Sequence, residues 1–175
     1  RDYHFNKVKT FHHMMDERTQ EEPRAWDLEG ATHRAGFKIE ELVEFVRAAS
    51  PSEEDFGQAL SQLHQALDKA ADKVAKKTPA QQDLIGQVDA LIDTLYFTYG
   101  SFVLMGVDPE RIFDIVHQAN MGKIFPDGKA HFDPVTHKIL KPDDWEEKYA
   151  PEPAIKKELQ RQLKAYERHK ERNKQ

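Results

Sequence analysis

Apolar positions recur at helical spacing through most of the chain. Intervals of three and four residues predict helices over 3–17, 30–49, 52–76, 79–105, 109–121 and 153–172. Two helix starts, Ser50-Pro51-Ser52-Glu53 and Thr78-Pro79-Ala80-Gln81, place a hydroxyl cap before a proline, and Asp108-Pro109 repeats the cap and the proline. Gly106 and Gly122 are the predicted stops. The pattern predicts an all-α protein, a helical bundle.

The segment near 122–150 interrupts the helical pattern. It contains turn signals at Pro126-Asp127-Gly128, Asp133-Pro134 and Lys141-Pro142, and the stretch HFDPVTHKIL is typical of a short hairpin. Residues 151–175 are mostly charged and carry few apolar anchors, which favours a solvated helix or tail. We therefore predict one domain over 1–150 and a charged C-terminal helix or tail over 151–175.

The stretch QVDALIDTLYFTYG, residues 87–100, combines two aspartates with many apolar residues. Asp89 and Asp93 are four residues apart and share one face of the predicted helix. That face lies opposite the polar stripe of the helix, which is formed by Gln87, Thr94, Thr98 and Ser101. If the polar stripe faces water, the two carboxylates face the interior, where like charges are costly unless a cation or proton compensates them. Hydrogen bonds to a neighbouring helix, or a wet groove, are the other interpretation.

Composition excludes several classes of protein. The 175 residues are 38% hydrophobic, which suits one domain with its own core. The net charge of −5 argues against general binding to nucleic acid polymers or anionic membranes. The absence of cysteine excludes disulfides, thiolate zinc sites and cysteine nucleophiles. With no signal peptide and no long apolar run, we expect a soluble cytoplasmic protein.

A second acidic group is the pentapeptide EELVE. Glu40, Glu41 and Glu44 lie on a different side of their predicted helix from its apolar residues, which are Ile39, Leu42, Val43 and Val46. Taken alone, such carboxylates are typical of a solvated helix face. Beside Asp89 and Asp93 they gain significance, because two helices that each offer two carboxylates can form an oxygen cage around Mg²⁺.

The third feature is an amide on an apolar helix face. Asn120 falls between Val116 and Phe113 on the predicted helix 109–121. Its side chain either caps a neighbouring backbone group or points into a polar ligand pocket. Four lysines follow at positions 123, 129, 138 and 141. Each alone is typical of a solvent-exposed residue, but together with the carboxylates they suggest a metal–polyphosphate site.

These motifs together resemble one superfamily. The segments EELVE, DALIDTLYFTYG, VHQANMGKIFPDGK and KILKPDDW are similar, over roughly residues 30–147, to the all-α nucleoside triphosphate pyrophosphohydrolases. That superfamily includes MazG, the dimeric dUTPases and phosphoribosyl-ATP pyrophosphohydrolase. The resemblance implies a helical dimer or tetramer that binds Mg²⁺, with Mn²⁺ as a possible substitute, through four carboxylates. It also implies cleavage of a nucleoside triphosphate, with a deoxynucleotide such as dUTP as the expected substrate, to monophosphate and pyrophosphate.

The resemblance also implies roles for individual residues. Glu41 and Glu44 match the metal ligands of the first motif, and Glu40 supports them or positions water. Asp89 and Asp93 match the second pair, which is commonly Glu-x-x-Asp and would place an acid at Ala90; the pair here is spaced by four, so Asp93 is the better match. The residues implied to hold the nucleotide and its phosphates are Asn120, Lys123 and Lys141.

The expected reaction is metal-assisted hydrolysis without a covalent intermediate. Mg²⁺ neutralises a triphosphate and lowers the pKa of water, while a carboxylate accepts the proton. The chain has neither G-x-S-x-G nor a Walker loop. Two alternatives are a non-catalytic helical interaction module and a carboxylate-bridged di-iron bundle, although the nearest match to the di-iron motif is a single Asp114-x-x-His117.

Two further expectations concern assembly and base recognition. The predicted helix 79–105 is apolar on most sides, which favours at least a dimer. Base recognition by aromatic and amide residues has candidates in the N-terminal third, for which packing is the other interpretation: Phe11, His12, His13, Gln20 and Trp26.

Overall fold

Helices form almost all of the regular structure of the chain. A computed structural model describes residues 3–15, 20–79 and 82–175. In order, the helices are α1 (Tyr3–Met15), α2 (Leu28–Ala49), α3 (Glu53–Ala75), α4 (Leu84–Met105), α5 (Glu110–Met121), α6 (Trp145–Tyr149) and α7 (Glu152–Arg172). The predicted all-α fold is confirmed. None of these helices, within the described ranges, is both long and apolar enough to cross a membrane.

Two predicted helix starts lie at different residues in the structure. Ser52, rather than Ser50, caps α3, because its hydroxyl accepts the N–H of Asp55 (3.1 Å). The Thr78-Pro79 signal does not begin α4; instead Asp83 accepts the N–H of Gly86 (2.9 Å), and the helix starts at Leu84. A carboxylate closer to the apolar run therefore replaces the predicted hydroxyl cap. Residues 16–17 of the first predicted helix, and 80–81 of the fourth, lie outside the described residues.

The end of α4 is formed as its sequence predicts. Gly106 has a φ of +71°, which glycine adopts without a steric penalty. The N–H of Gly106 bonds the carbonyl of Val103 (3.1 Å), and the N–H of Val107 bonds that of Phe102 (3.0 Å). This pair of bonds is the Schellman arrangement that satisfies the last carbonyls of a helix.

The chain divides into two units, which are described separately. The unit Glu22–Ile92 contains α2, α3 and the first part of α4, and α2 packs on α3. Two hydrogen bonds tie the segment before α2 to α4: the N–H of Trp26 donates to Oε1 of Gln87 (2.8 Å), and Nε2 of Gln87 donates to the carbonyl of Trp26 (3.1 Å).

The other unit, Arg1–Glu21 with Asp93–Gln175, is organised around α5. Helix α1 packs on α5, where the His4 ring stacks on Phe113 with centroids 4.1 Å apart and Lys7 forms an ion pair with Asp114. Helix α7 also packs on α5. The connection is polar: Gln162 accepts the N–H of Asp108 (2.9 Å) and donates to its carbonyl (2.9 Å).

Glu158 is the buried charged residue of α7. Its carboxylate accepts hydrogen bonds from the Arg161 guanidinium at 2.7–3.1 Å. These bonds to the ionised form lower the pKa of Glu158 to about 2. Residues 152–172 therefore form a helix that contacts α5, while the division of the chain at residue 150 stays a prediction.

The irregular segment after α5 forms turns rather than a full hairpin. HFDPVTHKIL contains one antiparallel bridge, between Phe132 and Ile139, and no strand is formed among the described residues. The predicted hairpin is therefore reduced to a single bridge. Its turn is formed instead around Asp133, whose carboxylate accepts the N–H groups of Val135 (2.8 Å) and Thr136 (2.7 Å).

Helix α6 follows this segment and was not predicted. It is only five residues long, from Trp145 to Tyr149, which is too short for an apolar period to be visible. It packs against the end of α5, where a Cβ added at Gly122 would overlap the ring of Tyr149. Gly122 has a φ of −66°, so it is space, and not backbone conformation, that requires glycine there.

We predict that Gly122→Ala destabilises the protein by about 1–3 kcal/mol, because the new methyl group forces the Tyr149 ring to move. Gly57→Ala in α3 is the matched control, since nothing lies within 4 Å of its added Cβ. Alanine in a helix interior should stabilise by about 0.5–1 kcal/mol. Thermal unfolding of both variants checks this, and equal Tm values for the two would contradict the packing of α6 on α5.

Candidate functional site

The carboxylates of EELVE lie on α2. Glu40, Glu41 and Glu44 are exposed, and Glu44 lies one helical turn after the other two. Glu40 and Glu44 form no ion pair with any described residue. Ile39 and Leu42, which the pattern placed on a buried face, are more than half exposed. The acidic face is thus available to a ligand, and much of the apolar face of the helix is uncovered in one chain.

The expectation that Asp89 and Asp93 face the interior is wrong for the isolated chain. Both are exposed, and neither pairs with a described cation. The reason is that the apolar residues around them are exposed as well, with Ile85 at 84% and Phe97 at 77%. Asp89 lies in an open groove of α4 with Leu84, Ile85, Val88 and Ile92. The aspartates therefore share one surface with apolar side chains, as predicted, but a single chain does not cover that surface.

The predicted metal ligands do not form one cluster in this chain. In the part of the chain that the structure describes, no group of three or more His, Asp or Glu side chains is arranged to hold a metal ion. Glu41, Glu44, Asp89 and Asp93 are exposed donors on α2 and α4.

The residues predicted to hold phosphate lie around the end of α5. Asn120 is half-buried in the last turn, and its side-chain amide forms no hydrogen bond with the described residues. Lys123 follows directly, with its N–H bonded to the carbonyl of Asn120 (3.0 Å). The Nζ atoms of Lys123 and Lys141 lie 5.8 and 4.2 Å from the centre of the Trp145 ring. The structure thus brings Lys123 and Lys141 together at one indole, near the free amide of Asn120.

Trp145 is the residue that sequence reasoning missed. It is 6% exposed, and its indole N–H donates to the carbonyl of Ala119 (2.7 Å). The available signal was its place at the end of KILKPDDW, four residues after Lys141. A large aromatic residue in a polar, proline-containing segment indicates an anchor, since such a segment has few other ways to attach to a helix.

The loop between Lys123 and Lys141 is held by its own side chains. The rings of Phe125 and His131 stack with centroids 3.9 Å apart, and His131 lies 2.7 Å from Asp127. The hydrogen bond from His131 is the main cause that lowers the pKa of the Asp127 carboxyl. The predicted turn at Pro126-Asp127-Gly128 is formed, with the N–H of Gly128 bonded to the carbonyl of Phe125 (2.8 Å).

Asp114 and His117 do not form a di-iron ligand pair. Asp114 is paired with Lys7. Burial, with the Lys7 charge as a smaller cause, lowers the pKa of His117, which favours its neutral form. An aspartate held by a lysine is a structural ion pair, so the Asp114-x-x-His117 match reflects the packing of α1 on α5.

The candidates for base recognition have mixed surroundings. Phe11 and His12 pack edge to face, with ring centroids 6.0 Å apart. Trp26 is half-exposed and bonded through its backbone to Gln87, whereas His13 and Gln20 are exposed. The contact with His12 gives Phe11 a packing role.

Two comparisons with known proteins each found a relative of this chain. Residues 8–120 match the family described as phosphoribosyl-ATP pyrophosphohydrolase. A candidate NTP pyrophosphohydrolase from Exiguobacterium sp. 255-15, solved at 1.78 Å resolution, is 39% identical, with a TM-score of 0.86 over 94% of this chain and 98% of that one. None of the curated proteins matches the sequence.

The helical fold and the acidic motifs on α2 and α4 define a protein of the all-α nucleoside triphosphate pyrophosphohydrolase superfamily, which confirms the resemblance found in the sequence. Within that superfamily, the chain belongs to the phosphoribosyl-ATP pyrophosphohydrolase family and is a hydrolase.

Proposed function

We propose that the protein hydrolyses a nucleoside triphosphate to the monophosphate and pyrophosphate in a Mg²⁺-dependent reaction, with a deoxynucleotide such as dUTP as the substrate. The observation that carries this proposal is the position of EELVE and the Asp89–Asp93 pair within the 113 residues that match the family. The carboxylates are exposed on their helices. A hydrolase of this family needs such groups accessible to substrate.

The donor set fits a hard divalent cation. Mg²⁺ is bound in proteins by carboxylate oxygens and water. Glu44, Asp89 and Asp93 form no ion pair with the described residues, so their oxygens are available, and Glu41 lies one turn before Glu44. The residues that would hold the metal are Glu41, Glu44, Asp89 and Asp93. Bound there, the metal would neutralise phosphate oxygens and lower the pKa of water, and Mn²⁺ would be a substitute.

The other residues act directly on water and substrate. Glu40 is exposed and unpaired among the described residues, so its carboxylate can accept a proton from attacking water. The free amide of Asn120 can donate to, and accept from, the nucleotide. The ammonium groups of Lys123 and Lys141 can donate to phosphate oxygens through charge-assisted hydrogen bonds. Together these groups fix both the nucleophile and the leaving pyrophosphate.

We also propose that the active form is a homodimer or a homotetramer. Apolar side chains are exposed along α4, up to 91% for Leu104. Soluble monomers rarely expose large contiguous apolar patches, so such a surface is typical of an interface. A second copy that covers α4 would also change the surroundings of Asp89 and Asp93, and it could contribute the carboxylates that one chain does not gather.

The first prediction tests the chemistry. Glu44→Gln, and Asp93→Asn separately, should each lower Mg²⁺-dependent pyrophosphate release by more than about a hundredfold, since loss of a direct ligand costs more than loss of an outer partner. Asp89→Asn should have a smaller effect than Asp93→Asn. Asp68→Asn, an exposed acid of α3, is the matched control and should retain full activity.

The assay uses all common ribo- and deoxynucleoside triphosphates, with phosphoribosyl-ATP included because of the family match. Near-normal turnover in both Glu44→Gln and Asp93→Asn would remove these residues from the site. If the wild-type protein hydrolyses no nucleotide and Mg²⁺ leaves its thermal stability unchanged, the protein is a helical interaction module instead.

The second prediction tests assembly. Light scattering should give at least a dimer at micromolar concentration, and Leu104→Lys should shift it towards monomer, because a charge replaces apolar surface at the interface. Val135→Lys is the control. Val135 is 83% exposed, which is similar to Leu104, but it lies in the irregular segment and not on α4. A wild-type monomer, or equal behaviour of the two variants, would contradict the proposal.

A further inference from the structure

Trp145 joins two separate parts of the chain. Its buried indole N–H donates to the carbonyl of Ala119, one of the last carbonyls of α5. The neighbouring carbonyls of Gln118 and Asn120 already accept backbone N–H groups from Gly122 and Lys123. The indole therefore satisfies a carbonyl that the helix end would otherwise leave unpaired. This bond fixes the ring beside Asn120 and the start of the irregular segment.

Two lysines that are distant in the sequence both lie close to this ring. Lys123 comes directly after α5, and Lys141 comes from the far end of the irregular segment, yet both Nζ atoms lie within 6 Å of the ring centre. The negative face of an indole attracts ammonium groups at this distance. The ring thus offsets the repulsion between two like charges, which favours their separation.

Lys141 has no anionic partner in the part of the chain that the structure describes. Of the two acids that follow it, Asp143 is exposed and forms no ion pair with a described residue, and the Asp144 carboxylate pairs with Lys148 at 2.6 Å. An uncompensated cation next to a second cation is an electrostatic site for an anion with several oxygens.

The family match ends at Asn120, so the ring and both lysines lie beyond it. Trp145 is therefore one of the side chains, with Tyr149, that attach the segment after the matched region to the end of α5. The Trp145 ring lies close to both the lysine that continues α5 and the lysine that the segment contributes.

We propose that Trp145 is a positioning residue that holds Lys123 and Lys141 side by side, so that the two ammonium groups bind a single polyphosphate anion as a unit. The identification of that anion with the triphosphate of the substrate rests on the proposed function. Binding of inorganic tripolyphosphate can be measured without any turnover, so the two proposals can fail separately.

The test is a double-mutant cycle repeated in two backgrounds. Calorimetry measures the Kd of tripolyphosphate for Lys123→Ala, Lys141→Ala and the double variant, first with Trp145 and then in Trp145→Leu. Each single change should weaken binding about ten- to a hundredfold, as for a charge-assisted contact. The double variant should lose less than the product of the two effects, because one anion contacts both groups. In Trp145→Leu this non-additivity should disappear.

Two variants separate positioning from packing. Trp145→Phe keeps an aromatic face but loses the bond to Ala119, so it should weaken binding severalfold and keep part of the coupling. Lys69→Ala, which changes an exposed lysine of α3, is the control and should bind as the wild type does. If Trp145→Phe and Trp145→Leu lower stability while both lysine effects and their coupling stay unchanged, Trp145 serves packing only and the proposal is wrong.

If neither Trp145→Phe nor Trp145→Leu folds, the fluorescence of the native Trp145 ring provides a second test. The chain has two tryptophans, so Trp26→Phe leaves Trp145 as the single indole emitter. Tripolyphosphate should change its emission saturably as the ammonium groups move from the ring to the anion, and Lys141→Ala should reduce that change. Unaltered emission at a tripolyphosphate concentration that saturates binding would overturn the proposal. If no nucleoside triphosphate is hydrolysed but this response persists, the proposed function fails and the anion site remains.

Discussion

Helix α4 carries apolar side chains, which favour burial, beside aspartates, which favour contact with water. Its apolar side chains gain free energy by leaving water, at about 25 cal/mol for each Å² that is covered. Asp89 lies in the same groove as four of those side chains, and an ionised carboxylate that leaves water without compensation costs several kcal/mol. A partner surface over the helix and a cation beside the aspartates would satisfy both requirements together. The proposed oligomer and the proposed metal site thus arise from one property of one helix.

The acidic and the basic residues of the proposed site lie on different parts of the chain. The predicted metal ligands are carboxylates on regular helices, where backbone geometry fixes their spacing. The cations for phosphate are instead on and beyond the end of α5, in a segment with little regular structure. A lysine on such a segment needs another group to define its position, because its side chain has many rotamers. Trp145 supplies that group through one buried hydrogen bond and its aromatic ring.

Sequence reasoning predicted the parts that depend on local rules. Six of the seven described helices, the Gly106 stop and the turn at Gly128 follow from period, capping and φ, and the structure contains each of them. The predicted start of α4 was wrong because two capping signals, Thr78 and Asp83, compete. The one nearer the apolar run, Asp83, prevails. The inward orientation of Asp89 and Asp93 was wrong for one chain because a helical wheel shows which residues share a face but not what covers that face. Trp145 could not be assigned a role because its partner, the Ala119 carbonyl, is 26 residues away and carries no side-chain signal.

Identification of the phosphorus-containing products tests the central claim most directly. The wild-type protein, Mg²⁺ and the best nucleoside triphosphate are incubated, and the products are followed by ³¹P NMR. The account predicts equal amounts of nucleoside monophosphate and inorganic pyrophosphate from the start of the reaction. Nucleoside diphosphate and orthophosphate would contradict it, since they require cleavage at the terminal phosphate.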